Sequence, residues 1–358
     1  MNLKIARHSA ALTRRARADA SVDSHTCSGR STRRAFLLAA ATWPALAWAD
    51  AVRTQAPAKI RRIGVISPFT PSNAALWHQA FRLGLRDLGW VEGKNISIEY
   101  RYAEDRYDRL PGLAADLVRL KVDVIVASVG PDALAALEAS RTIPIVMAGA
   151  GDPVAAGLVQ SLARPGGNVT GLSQNSPELV GKRLELLTEM VPKLSRVVVL
   201  WNPQGAAARQ GWKEIQLPAR QLGIQLHSLE VQSPDEFEKA FEDATRVRAG
   251  ALFIMAHPMI LTNRKRIADF AAKSRLPSIS QFSEFADAGV LLTYGVDRAD
   301  LHRRAATFVD KIFKGAKPAD LPVEEPTKFE LVLNTKTAKA LGIKIPQSIV
   351  VRADRVIE

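Results

Sequence analysis

The stretch VDVIVASVGPDALAALEASRTIPIVMAGA, residues 122–150, decides the fold. Val122–Ala127 is apolar apart from Asp123 and rich in β-branched residues, which is the pattern of a strand buried on both faces. Gly130-Pro131-Asp132 then opens a helix expected over Asp132–Ala139. Pro144–Met147 returns as a second apolar strand. Strand, helix and strand in such close order make one βα unit of a parallel sheet covered by helices.

The same alternation runs outward in both directions. Upstream come a strand at Arg62–Ser67, a helix at Ala74–Leu88, a strand at Ile96–Tyr102 and a helix at Leu110–Leu120. Downstream a helix is expected over Val154–Ala163 and a strand over Val169–Ser173. The pattern restarts there, with strands at Arg196–Trp201, Gln225–Val231, Ala251–Met255, Ser278–Gln281 and Val290–Thr293. Helices separate them, at Leu179–Met190, Ala206–Leu222, Pro234–Arg246 and Leu261–Lys273. A long helix at Ala299–Phe313 leads through the Pro-rich Lys317–Pro326 to a last strand and a short helix. Two α/β lobes follow, each a doubly wound parallel sheet with its binding loops at the carboxyl ends of its strands.

The chain of 358 residues is long enough for two such lobes. Its 47% hydrophobic and 24% charged residues are ordinary globular usage, which excludes collagen-like and disordered classes. No apolar run reaches the ~18 residues of a membrane span. The single cysteine, Cys27, excludes a disulfide framework or a Cys-rich metal site. The net charge of +13 divides unevenly: residues 1–49 carry eight Lys/Arg against two acids, leaving +7 for the rest. Short runs such as Arg264-Lys265-Arg266 read as solvated helix faces, and no nucleic-acid partner is expected.

The basic N-terminal segment has the order of an export signal. Basic residues to Arg34 precede an apolar run, Phe36–Trp48, which ends at Ala47-Trp48-Ala49, a small-x-small cleavage site. Thr32-Arg33-Arg34-Ala35-Phe36-Leu37 is similar to a twin-arginine motif. Residues 1–49 are thus expected to be an export signal cleaved near Ala49, by the twin-arginine or the general secretory route, with a periplasmic product and a linker at 50–60.

Catalytic motifs are missing. There is no phosphate-binding G-x-x-x-x-G-K-[ST], no G-x-G-x-x-G after the first strand, no G-x-S-x-G and no H-E-x-x-H. The protein is read as a non-enzyme without cofactor or metal. What remains are the loops after strands: Ser67–Asn73, Ser128–Asp132, Ala148–Asp152, Ser173–Ser176, Trp201–Pro203, Ala256–Pro258, Gln281–Glu284 and Tyr294. Hydroxyls, amides, glycines and a few rings suit a small polar ligand in a cleft. The candidate ligand-binding residues are Ser67, Ser72, Ser128, Gly130, Gly149, Asp152, Gln174, Asn175, Trp201, Asn202, His257, Gln281 and Tyr294. Turn and cap roles compete at each of them. Trp201 reads equally as a stacking ring or as core, and His257 equally as a ligand contact or a turn residue before Pro258.

Longer stretches carry a resemblance. RRIGVISPFTPS (61–72), GLRDLGWVEGKNISIEYRYAE (84–104), RYDRLPGLAADLVRLKVDVIVA (106–127) and above all DPVAAGLVQSLARPGGNVTGLS (152–173) resemble ABC-transporter substrate-binding proteins that include tryptophan-binding periplasmic components. GKRLELLTEMVPKLSRVVVLWNP (181–203) and GAKPADLPVEEPTKFELVLNTKTAKALGIKIPQSI (315–349) extend it over residues 61–358. The resemblance implies a type I periplasmic-binding fold, with lobe 1 at 61–172 plus 297–320 and lobe 2 at 173–296 plus 321–358. It implies a three-segment hinge near Ser173, Val296 and Lys317–Pro326. It also implies capture of a small molecule by hinge closure, delivery to an inner-membrane ABC permease, and a monomer. A periplasmic sensor presenting its closed state to a membrane receptor is the alternative. Members thought to bind aromatic amino acids carry acids in second-lobe loops, but Met255–Pro258 and Ser280–Ser283 contain no Asp. The expectation is therefore an aromatic or carboxylated ligand without an ammonium group.

Overall fold

A computed structural model describes residues 60–174 and 178–358. Residues 1–49, expected to be an export signal, all but the last residue of the expected linker, and Asn175 lie outside the described residues.

The decisive stretch folds as read. β1 (Arg61–Ser67), β2 (Ile96–Tyr102), β3 (Val124–Ala127), β4 (Ile145–Ala150) and β5 (Val169–Ser173) form one sheet, ordered β2-β1-β3-β4-β5. All its pairings are parallel. β3 and β4 are buried along their whole length, as a strand covered on both faces must be. The helices Pro71–Asp87 and Arg298–Phe313 cover one face, packing Phe81, Leu85, Phe308 and Val309 on Ile63, Val65, Val124 and Val146. Gly84 lets the two helices touch, since a Cβ there would stand 2.4 Å from the Arg303 carbonyl oxygen. Leu110, Leu117, Ala133 and Ala136 cover the other face.

The second sheet holds β6 (Arg196–Trp201), β7 (Gln225–Glu230), β8 (Ala251–Ile254), β9 (Ser278–Ser280), β10 (Leu292–Val296), β11 (Phe329–Asn334) and β12 (Arg355–Ile357), ordered β12-β11-β10-β9-β8-β6-β7. β11 is antiparallel to β10, and the other pairings are parallel. The molecule is thus two α/β lobes built on parallel sheets.

The chain passes between the sheets three times: after β5, after β10 and before β11. The passages are bonded to one another. The Ser173 N–H donates to the Glu324 carbonyl at 2.9 Å, and the Asp297 N–H to the Lys328 carbonyl at 3.1 Å.

Two expected helices differ. Val154–Ala163 forms turns, because Asp152 Oδ1 accepts from the Val154 and Ala155 N–H groups and Gly157 sits at φ +70°. Leu261–Lys273 is cut at Asn263 into helices Pro258–Thr262 and Arg264–Lys273.

Candidate functional site

Asp297 ends the second passage between the sheets and caps the helix Arg298–Phe313, its Oδ1 accepting from the Asp300 N–H at 3.0 Å. The first helical residue is Arg298, only 7% exposed. A cation in a first helical turn opposes the helix dipole, so neighbouring groups must favour it. Rings do so: the guanidinium carbon lies 3.6 Å from the Trp77 ring centre, 4.9 Å from Phe282 and 5.4 Å from Phe69. Phe69 meets Trp77 edge-on at 5.2 Å.

The cage joins both lobes. Phe69 follows β1, and its N–H donates to Ser67 Oγ at 3.4 Å. Trp77 stands on the helix Pro71–Asp87, whose cap Thr70 accepts from the Asn73 N–H. Phe282 follows β9 in the other lobe. Phe69, Trp77 and Val129 share one apolar cluster with Ile260, Leu261, Phe282 and Phe285. Arg264 Nη2 closes the rim by donating to Asn73 Oδ1 at 3.1 Å.

Buried polar atoms without partners among the described residues include Arg298 Nη1 and Nη2, Tyr107 OH, Asp105 Oδ1 and Glu284 Oε2; Glu284 and Tyr107 act electrostatically on Arg298, and Asp105 on Tyr107. Such atoms are rare in folded proteins, and each calls for a physical account. Burial lowers the affinity of Arg298 for its proton, while Glu284, Tyr107 and Asp132 counter that effect. Burial pushes the Tyr107 phenol up. It also lifts the Asp105 carboxyl above the usual range, with Thr262 and Arg264 opposing. Asp132 is fully buried and accepts from the Ser128, Val129 and Ala133 N–H groups at 2.8, 3.0 and 3.1 Å. Burial raises it to about 7 against the pull of those bonds. No cluster of metal-ligating side chains occurs among the described residues. An open hollow of about 550 Å³ beside Arg141 and Lys317 lies at the amino ends of β4 and β5, away from these groups.

The residues chosen from sequence lie on loops and strand ends of both lobes. Ser67 holds the Phe69 turn, Ser128 is bonded to Asp132 and Ile66, and Gln281 adjoins Phe282 while accepting from Arg183 at 3.2 Å. Gly130 opens the helix Gly130–Ala139. Gly149 is buried beside Gln174, whose N–H donates to the Ala150 carbonyl at 2.6 Å. Ser72 is exposed beside Thr70, and Asp152 is exposed in its turn. Asn202 Oδ1 accepts from the Gln204 N–H at 2.8 Å, and His257 Nδ1 from the Met259 N–H at 3.3 Å. Tyr294 is half-buried near Phe329. Trp201 is packed in the second lobe, stacked on Trp212 at 5.5 Å with its Nε1 donating to Ser228.

Sequence reading did not single out Arg298, Trp77, Tyr107 or Asp105, and it reached Phe69 and Glu284 only as members of the loops Ser67–Asn73 and Gln281–Glu284. The signal for Arg298 was an arginine at a helix start. The expectation that the second-lobe loops lack an acid stopped one residue early: Glu284 follows Ser283 and acts on Arg298.

A family model described as ABC transporter substrate binding protein matches residues 62–357. A relative called "Tyrosine-binding protein", from Clostridioides difficile (strain R20291), is 27% identical over 266 residues, covering 74% of this chain and 76% of its own length. The crystal structure of a conserved domain protein from Vibrio cholerae superposes with a TM-score of 0.78 at 28% identity, covering 83% of this chain and 100% of that one. An ABC domain from Streptococcus pneumonia in complex with L-Trp gives 0.77 at 26% identity, covering 83% of this chain and 99% of that one. The shared architecture is the type I periplasmic-binding fold.

Proposed function

The chain belongs to the ABC transporter substrate-binding protein family, and from that premise we propose that it is the extracytoplasmic receptor of an importer for an aromatic α-amino acid. The observation that carries this reading is Arg298, buried among three rings with both terminal nitrogens unpartnered. A guanidinium fork fits a carboxylate in two parallel bonds. Glu284 and Asp105 supply negative charge for an ammonium group. Phe69, Trp77 and Phe282 supply apolar walls for a ring. The relatives named for tyrosine and solved with L-Trp support the same ligand class.

Capture proceeds by closure. The lobes, 61–172 plus 297–320 and 173–296 plus 321–358, hinge at the three bonded passages. Ligand groups that touch both lobes favour the closed form, because only differential contacts shift such an equilibrium. Ser67, Ser128 and Gln281 act by holding the cage loops. The signal in residues 1–49 exports the chain, and the closed monomer meets a membrane permease.

Thermal unfolding of the full chain tests the reading against L-tryptophan, L-tyrosine, L-phenylalanine, indole-3-propionate, sugars and purines. A ligand at 100 times its Kd adds ~2.7 kcal/mol. The melting point should rise with the aromatic amino acids, and the rise should vanish in Arg298→Gln. A rise with sugars or purines alone would refute it.

A further inference from the structure

Behind the cage lies a second group of buried polar rings that the binding reading does not use. His302 is 2% exposed and His78 3% exposed. His302 Nδ1–H donates to the Arg298 carbonyl at 2.9 Å, one helical turn back. The His302 ring stacks on Trp77, with centroids 5.7 Å apart and planes 24° apart. His302 therefore touches both members of the tightest contact in the cage. His78 follows Trp77 in sequence, faces His302 at 6.3 Å and shares a 2.9 Å hydrogen bond with Tyr102 OH. The Nε2 atoms of both histidines have no partner among the described residues.

The geometry points to His302 as the positioning residue of the ligand cage, and to the His78–His302 pair as a proton-operated release. In the neutral state His302 fixes the start of the helix that carries Arg298 and the plane of Trp77. A proton taken up at the bare Nε2 of His302 or His78 places a new cation in a closed, apolar space. The facing groups make that costly: Arg298 from the same helix, Arg82 beside His78, and only the neutral phenols of Tyr100 and Tyr102 from β2. The carboxylates nearest in effect, Glu284 and Asp132, act on Arg298, and Glu92 acts on Tyr100. Burial holds His302 down to about 3 and His78 to about 4, with Arg298 lowering the first further and Arg82 the second. A histidine lowered in the packed state stabilises that state fully above ~6.5 and progressively less as pH falls toward those values. Acid therefore loosens the cage and lets the ligand go. This inference rests on the cage being the ligand site, so its test has one arm that needs no ligand.

The ligand-free arm is a pH titration of tryptophan fluorescence in the full chain, since an imidazolium beside an indole quenches it. The wild type should lose emission as pH falls toward 4, and His302→Phe should lose much less. The same transition in His302→Phe, or none in the wild type before unfolding, would overturn the proposal. The ligand arm measures L-tryptophan and L-tyrosine affinity at pH 7.5 and 4. His302→Phe keeps a ring but not the bond, and should bind ~10-fold more weakly at pH 7.5 with little further loss at pH 4. His302→Asn restores a donor toward the Arg298 carbonyl and should recover part of the affinity at pH 7.5. Unchanged affinity and an unchanged acid limb in both variants would overturn the positioning role. If neither amino acid binds the wild type, the ligand reading fails and the fluorescence arm alone decides the inference. Far-UV circular dichroism shows whether His302→Phe folds, and His302→Asn serves in its place if it does not.

Discussion

In the proposed reading, two residues carry opposite halves of the recognition. Arg298 has unpartnered nitrogens, and Glu284 has an unpartnered oxygen in the other lobe. Arg298→Gln removes the charge but keeps donors, so affinity for L-tryptophan should fall ~10–100-fold by calorimetry. His257 offers a separate test of burial. Its Nδ1 accepts from the Met259 N–H, which requires a neutral ring, and burial lowers it to about 4. Its contribution is complete above ~6.5 and is lost as pH falls toward 4. His257→Asn keeps a capping oxygen and cannot titrate. Its melting point should therefore gain on the wild type between pH 6.5 and 4, and a constant difference would exclude the effect. At this scale the sequence was least informative. Hydroxyls and amides after strands mark loops, but whether a side chain turns inward depends on partners distant in sequence. The Ser67 side chain proves to be bonded within its own loop and that of Ser128 to the Ile66 carbonyl on β1, while Arg298 is defined by Trp77 and Phe282, each reached only by folding.

Elements place these residues. The helix Arg298–Phe313 starts at Asp297, between β10 and the first lobe, so its cap also sets where Arg298 begins. Asp297→Ala should cost ~1 kcal/mol of stability in urea unfolding. It should also weaken ligand binding, because the first turn frays; stability lost without affinity would separate cap from site. β10 presents a second constraint. A Cβ at Gly295 would lie 2.0 Å from the Gln281 carbonyl oxygen, the residue before Phe282. Gly295→Ala should destabilise by about 1–3 kcal/mol through backbone displacement. The strands were legible because their apolar runs are continuous, as in β3, β4 and β6. Val154–Ala163 misled because its apolar spacing suits a helix, while Asp152 and Gly157 commit it to turns.

Across the whole molecule, repetition of the βα unit made the two lobes legible, and the restart after Ser173 marked the first passage between them. The antiparallel β11 was less visible, since direction within a sheet is set by where the connector re-enters. An ammonium site was sought in the single loops Met255–Pro258 and Ser280–Ser283, whereas Glu284, one residue beyond, acts on Arg298. In the proposed reading, a zwitterion spanning Arg298 and Glu284 joins the lobes and so favours closure. The direct test is calorimetric titration of L-tryptophan and indole-3-propionate into the wild-type chain and Glu284→Gln. L-tryptophan should bind at least ~10-fold more tightly than the deaminated acid to the wild type, and the gap should shrink in Glu284→Gln. Tighter binding of the deaminated acid, or a gap that ignores Glu284, would contradict the account.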